Sequence, residues 1–198
     1  SKVPIEVFGF GSLCVMVEGR CLLSSYATGL GPNNHGACSP AEFVEWKNTD
    51  DHLETRLNGI LIDRVDKDDS VGYPVICKGR YKVNDHIGYA IEEPTSLNTL
   101  SILAELKAIG VAAVKVEGRQ RSPAYVRQVT EVMRAAIDDC LEKPDAYELK
   151  DQWNKTLGDL SEGQQTTLGA YYRNWQWPKE YIKNYHWHPS PISGIKPQ

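Results

Sequence analysis

Apolar and polar residues follow two different periods along this chain, and these periods predict where its strands and helices lie. An apolar run over residues 5–13 that ends in a glycine-rich turn predicts a buried strand. Short β-rich runs at 57–65, 73–83 and 86–92, separated by turns that contain Asp, Gly and Asn, predict strands. We therefore expect a small antiparallel, β-rich insertion between about residues 43 and 93.

A helical period replaces this pattern in the next part of the chain. Leucines and one isoleucine recur every third residue over 97–109 and predict a helix that ends at Gly110. The β-branched run 111–116 predicts a strand, and Ser122 and Pro123 predict the N-cap and first residue of a second helix. Helix, strand and helix with short links are typical of a parallel sheet covered by helices, so the predicted fold class is α/β.

The second helix is expected to bury an apolar face. The residues of this apolar face are Val126, Val129, Val132, Met133, Ala136, Ile137 and Cys140.

Composition and charge narrow the class of protein. The 198 residues are 41% hydrophobic and 24% charged, as in a globular domain, and 22 Lys and Arg against 26 Asp and Glu give a net charge of −4. This acidic balance supplies no broad positive surface for phosphates, so we expect no nucleic-acid partner. No apolar run reaches the roughly 18 residues that span a bilayer. We expect a cytoplasmic protein without a transmembrane segment, and a chain excised from something longer.

Five cysteines, an odd number, are most simply explained by metal ligation in a reducing compartment. Cys14, Cys21, Cys38 and Cys77 are separated by 6, 16 and 38 residues, without the closely spaced pair of a zinc finger. Such ligands come from separate loops at one end of a sheet. Four thiolates of this kind suit an iron–sulfur cluster at least as well as zinc, and their spacing alone does not choose the metal. Unligated core cysteines are the alternative.

Two segments resemble the signature of a known family, the collagenase-like peptidases. They are Glu6-Val7-Phe8-Gly9-Phe10-Gly11-Ser12-Leu13-Cys14 and Glu18-Gly19-Arg20-Cys21-Leu22-Leu23-Ser24-Ser25-Tyr26. Further segments, at 36–41, 77–81, 92–100, 116–126 and 157–171, are similar to the branch of that family that acts in ubiquinone biosynthesis. The resemblance extends from residue 5 to about residue 175.

The resemblance implies a fold and an activity. The fold would be the C-terminal part of a βα (TIM-like) barrel over residues 1–142, with the β-rich insertion at about 43–93 and a C-terminal extension over 143–198 that packs on the domain. The activity would be O2-independent hydroxylation of ubiquinone precursors by a heterodimer with a homologous subunit, with prephenate as hydroxyl donor. The resemblance also implies a [4Fe-4S] cluster held by Cys14, Cys21, Cys38 and Cys77. Cys140 is left out, as expected of a cysteine on an apolar helix face.

Charged residues at the end of the strand 111–116 are candidates for binding prephenate. Arg119 and Arg121 follow that strand, where ligands bind in parallel α/β folds, and guanidinium groups bind carboxylates in bidentate fashion. Lys115 and Glu117 belong to the same group. The alternative is that one arginine pairs with Glu117 or another carboxylate. Arg80, three residues after Cys77, is a weaker candidate of the same kind.

Other functions remain open at this point. The first alternative is a prephenate-dependent hydroxylase of tRNA or rRNA from the same family. The second is a peptidase or a non-catalytic iron–sulfur scaffold, and no catalytic residue is assigned. The aromatic C-terminal tail is expected to strap over its own domain. Its members are Tyr171, Tyr172, Trp175, Trp177, Tyr181, Tyr185 and Trp187.

Overall fold

The computed structural model describes residues 3–16, 20–69, 72–119 and 121–171. The strands are β1 Ile5–Ser12, β2 Val44–Asn48, β3 His52–Leu57, β4 Ile60–Asp66, β5 Arg80–Val83, β6 His86–Tyr89, β7 Ser96–Asn98, β8 Val111–Val116 and β9 Thr166–Thr167. The α-helices are α1 Leu22–Thr28, α2 Leu103–Ala108, α3 Pro123–Glu142 and α4 Asp151–Leu160.

The main sheet is mixed and open, with the strand order β8-β1-β7-β9. β1 pairs with β8 in parallel and with β7 in antiparallel orientation, while β7 and β9 are parallel. The predicted α/β class is confirmed as a mixture of sheets and helices. The described residues do not close this sheet into a barrel, so the TIM-like barrel stays a prediction.

Strands β2 to β6 lie in the segment expected to form a β-rich insertion, and we keep the name insertion for this segment, although its insertion into a barrel domain stays a prediction. β2, β3 and β4 form an antiparallel sheet, and β5 and β6 form a separate hairpin. The strand expected at 57–65 is confirmed over β4 from Ile60, but its start is wrong because Asn58 and Gly59 form a two-residue turn between β3 and β4. Their φ values of 48° and 78° suit the tight hairpin turns that Asn-Gly favours.

The strand expected at 73–83 is confirmed only over β5. A 3₁₀ turn over Ile76–Lys78 precedes it, and this turn carries Cys77.

The helix expected over 97–109 is confirmed only in its second half. β7 occupies its start, a 3₁₀ turn over Leu100–Ile102 follows, and α2 begins at Leu103. The hydroxyl of Thr99 donates to the carbonyl of Gly9 over 2.9 Å, and the amide of Leu100 donates to the side chain of Asn98 over 3.1 Å. These contacts fix an extended, turned backbone at a place where leucine spacing alone indicates a helix.

The core lies between the main sheet and α3, whose start matches the prediction. The Ser122 hydroxyl accepts a hydrogen bond from the amide of Tyr125 over 3.2 Å, as an N-cap does. Val126, expected on the apolar face, is 38% exposed, and Tyr125 is buried instead, so the buried face starts one residue earlier. The buried residues of this core are Phe10, Leu100, Leu103, Tyr125, Val129, Met133, Ala136, Cys140 and Leu157.

A second core joins α1 to the insertion. Ala27, Leu57, Ile62 and Ile76 are its buried members. The Asn58 side-chain amide also donates to the carbonyl of Ala27 over 2.7 Å. The C-terminal end of α1 is thereby held close to the turn between β3 and β4.

Most of the C-terminal tail lies outside the described residues. Of its seven aromatic residues only Tyr171 is described, and its hydroxyl donates to the carbonyl of Phe8 over 3.0 Å. The strap over the domain therefore stays a prediction for the other six. In the described part of the chain, no helix is long and apolar enough to cross a membrane.

Candidate functional site

The four predicted ligand cysteines come from four separate connections. Cys14 follows β1 and is exposed, while Cys21 is the buried N-cap residue of α1. Cys38 is half-buried in the loop after α1, and Cys77 is buried in the 3₁₀ turn before β5. All four thiols are free rather than joined in disulfides. The fifth cysteine, Cys140, lies in the core on α3.

Electrostatic interactions indicate that the four thiols share one neighbourhood. Burial raises the pKa of Cys38, and the charges of Cys21 and Cys14 raise it further. Burial raises the pKa of Cys77 to about 12, where Lys78 acts in the opposite direction and the other three cysteines add to the rise. Without metal, the Cys77 thiol is therefore protonated at neutral pH, and a metal ion must displace this proton to bind.

In the described residues, no group of three or more His, Cys, Asp or Glu side chains lies close enough to hold one metal ion. Each cysteine of a cubane cluster ligates its own iron, so the four sulfurs need not converge on a single point. Four thiols from four loops around one neighbourhood fit that requirement.

Ser24 orients the sulfur of Cys21. The Cys21 Sγ accepts hydrogen bonds from the amide of Ser24 over 3.3 Å and from its hydroxyl over 3.1 Å. Ser24 is 1% exposed, so these bonds are shielded from water. Sequence reasoning missed Ser24, although a serine three residues after an N-cap residue is a usable signal.

A buried ion pair between Lys78 and Glu162 lies beside the cysteines. The Lys78 side chain is 6% exposed and that of Glu162 is 18% exposed. Lys78 lowers the pKa of both Cys38 and Cys77, which places its charge near both sulfurs. Sequence reasoning missed this pair, because Glu162 lies 84 residues from Lys78 and no local pattern marks it.

Arg121 is paired as the alternative interpretation anticipated. Its Nη2 donates to the Ser12 hydroxyl over 2.5 Å and to the Glu117 carboxylate over 3.3 Å. The same carboxylate oxygen accepts from the amide of Ser12 over 3.1 Å. The guanidinium lies 5.1 Å from the ring centroid of Tyr125, a cation–π contact. Arg121 and Glu117 thus tie the end of β1 to the start of α3.

Glu162 connects this group with the cysteines. Burial is the main cause that raises the pKa of Tyr125, and Glu117 and Glu162 raise it further. Glu162 also raises the pKa of Cys38. Its carboxylate therefore acts on both groups, and the structure brings Arg121 and Glu117 into the region of the cysteines.

The other predicted substrate residues behave differently. Arg80 donates to the Asp63 carboxylate over 2.6 Å and to the carbonyl of Arg64 over 2.5 Å, which ties it to β4. Lys115 and Arg119 are exposed, and neither forms an ion pair with any residue of the described ranges. Their role in binding an anion stays a prediction.

Comparison with known proteins identifies similar chains. A model of peptidase family U32 matches residues 1–176. The chain is 28% identical to an uncharacterized protease of Methanocaldococcus jannaschii over 87% of this chain and 36% of that protein. It is 30% identical to tRNA hydroxylation protein P of Escherichia coli over 70% of this chain and 35% of that protein.

A protein named collagenase in Porphyromonas gingivalis is 26% identical over 80% of this chain and 31% of that protein. The chain spans about a third of the length of the curated relatives it matches. No solved structure matches it.

Proposed function

The chain belongs to peptidase family U32, and we propose that it is part of an O2-independent hydroxylase that acts on tRNA and holds a [4Fe-4S] cluster. The observation that carries the proposal is the meeting of four free thiols from separate connections beside the Lys78–Glu162 pair. Relatives named tRNA hydroxylation protein P in several bacteria support tRNA as the substrate.

Cys14, Cys21, Cys38 and Cys77 would hold the cluster. Replacing a ring C–H bond by C–OH removes two electrons and two protons in net terms, and the cluster, when bound, would pass these electrons one at a time to an external electron acceptor. Lys78 and Glu162 would keep the surroundings of the thiolates close to neutral. Ser24 would hold the sulfur of Cys21 in place.

Prephenate is the proposed hydroxyl donor. It carries two carboxylates, and the exposed Arg119 and Lys115 are the cations of the predicted set that are not engaged by acids of the described residues. Arg121, held by Glu117, would position the end of β1 rather than bind the donor.

A peptidase function has less support, although some relatives bear that name. Ser12 accepts a hydrogen bond from Arg121, and Ser24 donates one to Cys21. Both hydroxyls are thus committed to structural contacts near the cysteines. Within the described residues, neither hydroxyl forms a hydrogen bond with a histidine, as a serine nucleophile does.

A ubiquinone precursor is the second candidate substrate. The net charge of −4 favours a small or lipid substrate over a polyanion. The similarity to the ubiquinone-biosynthesis protein UbiU would then imply a homologous partner, UbiV. Under the tRNA proposal, the RNA phosphates would be bound mainly by regions that correspond to the parts of the relatives outside the third that this chain matches.

The test uses the complete protein that carries this chain, purified without oxygen and expressed in a bacterium lacking its tRNA hydroxylation protein P. We expect close to four irons and four sulfides per chain, and hydroxylated nucleosides in the tRNA by mass spectrometry. Cys77→Ala should remove both the iron and the modification, whereas Cys140→Ala should keep both. Stoichiometric zinc without sulfide would refute the cluster. Unmodified tRNA together with restored hydroxylation of quinone precursors would favour the second candidate.

A further inference from the structure

The buried ion pair of Lys78 and Glu162 acts on the cysteines mainly through its positive end. Lys78 directly follows Cys77 in the same 3₁₀ turn, whereas Glu162 comes from the turn after α4. Lys78 is the strongest of the neighbouring charges that act on the pKa of Cys77, and its effect on the pKa of Cys38 exceeds that of Glu162. At these sulfurs the charge of the ammonium group therefore outweighs that of the carboxylate.

The backbone around Glu162 is fixed on the start of β7. Its amide donates to the hydroxyl of Ser96 over 3.2 Å, and Ser96 is 0% exposed. The next residue, Gly163, has a φ of 64°, and a Cβ added there would lie 2.1 Å from the carbonyl oxygen of Pro94. Only glycine allows so close an approach. The carboxylate therefore reaches Lys78 from a backbone that has little freedom to move away.

The turn that carries Lys78 is fixed as well. The amide of Lys78 donates to the carbonyl of Val75 over 2.9 Å, and the carbonyl of Cys77 accepts from the amide of Glu92 over 3.0 Å. The Lys78 side chain is 6% exposed, so little water screens its charge. A charge in such surroundings acts on its neighbours more strongly than a charge that is surrounded by water.

A bound cluster would respond to these two charges when it takes up an electron. One-electron reduction adds a negative charge to the cluster and breaks no bond in the protein. A positive charge nearby stabilises the reduced form and raises the reduction potential, whereas a negative charge lowers it. Removing either member of the pair therefore has an effect of known sign.

We propose that the Lys78–Glu162 pair sets the reduction potential of the cluster, with the ammonium group raising the potential and the carboxylate lowering it by a smaller amount. The proposal rests on the proposed function, since it requires a [4Fe-4S] cluster on the four cysteines. It adds which residues adjust that cluster for electron transfer. Neither residue needs to touch the substrate or the hydroxyl donor for this role.

The experiment measures the midpoint potential of the cluster in the full protein, purified without oxygen, by a redox titration followed by electron paramagnetic resonance. Glu162→Gln keeps an oxygen that can accept from Lys78 and removes only the charge, so its potential should lie above that of the parent. Lys78→Met leaves the carboxylate alone, so its potential should be the lowest. The double variant Lys78→Met/Glu162→Leu should lie between Lys78→Met and the parent, because both charges are gone.

Two variants serve as controls. Replacing a buried ion pair by apolar residues of similar size usually preserves the fold, so the double variant reports on the charges even where a single variant does not fold. Lys155 and Asp159 form an ion pair on α4 whose side chains are 77% and 64% exposed. Asp159→Asn removes a carboxylate as Glu162→Gln does, and it should keep the parent potential.

Equal potentials in the parent and in both single variants would overturn the proposal, as would a double variant at or above the parent potential. So would a shift in Asp159→Asn as large as that in Glu162→Gln. Loss of the cluster from the double variant would also overturn it, because the pair would then support binding of the cluster rather than set its potential. In each of these cases a parent that holds iron and sulfide leaves the proposed function standing, whereas a parent without a cluster refutes both.

Discussion

Ser24 shapes the cysteine site through one buried hydroxyl. Its amide and its hydroxyl both donate to the sulfur of Cys21 and so fix the orientation of that sulfur. Groups that hold a metal ligand from behind typically change metal affinity by 10- to 100-fold when removed. The neighbouring Ser25 is exposed and offers a matched control.

We predict that Ser24→Ala speeds the loss of iron from the reconstituted protein to a chelator by about tenfold, because one of the two bonds to the sulfur is gone. Ser25→Ala should lose iron at the parent rate. The measurement is the decay of cluster absorbance under anaerobic conditions. Equal rates for the two variants would show that the Ser24 hydroxyl does not support the ligand.

At the scale of single residues, the sequence indicates which side chains have suitable chemistry for a site, but it does not show which residues contact them in the fold. The cysteine spacing singled out the four thiols that the structure brings into one region. Arg121 was found as well, yet its partner Ser12 lies 109 residues away and could not be inferred. Glu162 was missed for the same reason, since a carboxylate becomes part of a site only through folding.

At the scale of turns and helices, two glycines are expected to affect the stability of the fold in opposite ways when replaced by alanine. Gly59, in the turn between β3 and β4, has a φ of 78°, a conformation that costs other residues roughly 1–2 kcal/mol. Gly158 lies within α4, and a Cβ added there would meet nothing within 4 Å. Alanine is favoured over glycine in such a helix by roughly 0.5–1 kcal/mol.

We therefore predict that Gly59→Ala lowers the free energy of unfolding by about 1 kcal/mol and that Gly158→Ala raises it by about 0.5 kcal/mol. Urea denaturation of the two variants beside the parent measures both. A lower free energy of unfolding in Gly158→Ala would mean that the C-terminal end of α4 does not tolerate a side chain at this position. Unchanged stability in Gly59→Ala would mean that the turn relaxes.

Local sequence signals such as helix caps and turn residues predicted the bounds of several elements correctly. Ser122 and Pro123 define the start of α3 as expected, and β8 occupies the expected residues. The first half of the helix expected at 97–109 is wrong, because a leucine at every third position also suits a short buried strand followed by a turn. Pairing of β7 with β1, which is a long-range contact, decided between the two.

At the scale of the whole molecule, buried tyrosine side chains are expected to lower the stability of the fold at alkaline pH. Burial raises the pKa of Tyr81 and of Tyr147 from 10.0 to about 12. The hydroxyl of Tyr147 donates to the carbonyl of Leu100 over 2.8 Å and so links the chain after α3 to the core. Above pH 10 the unfolded chain loses these protons while the folded chain keeps them, so stability falls as pH rises toward 12.

We predict that Tyr147→Phe is about 1 kcal/mol less stable than the parent at neutral pH, because it lacks that hydrogen bond. This deficit should shrink between pH 10 and 12, because the unfolded parent then loses the Tyr147 proton that the folded parent keeps, which destabilises the parent, whereas the variant has no such proton. Tyr26→Phe, at an 83% exposed position, should follow the parent at every pH. Chemical denaturation at several pH values tests this, and a deficit that stays constant would contradict it.

The overall arrangement was the least predictable part of the chain. The charge of −4 argued against RNA, whereas the relatives include proteins named for tRNA hydroxylation. Net charge sums the whole surface, while the candidate site is built from pairs such as Lys78 with Glu162, which cancel locally. The net charge of the chain therefore says little about a site in which folding brings opposite charges together in pairs.

The Lys78–Glu162 pair also has a consequence for biosynthesis. A ribosome makes the four candidate ligands and Lys78 first, and adds Glu162 only 84 residues later. In the folded chain Lys78 lowers the pKa of Cys38 and of Cys77, whereas Glu162 raises that of Cys38. These two opposing charges can act together on the centre only after the chain has been synthesised through residue 162.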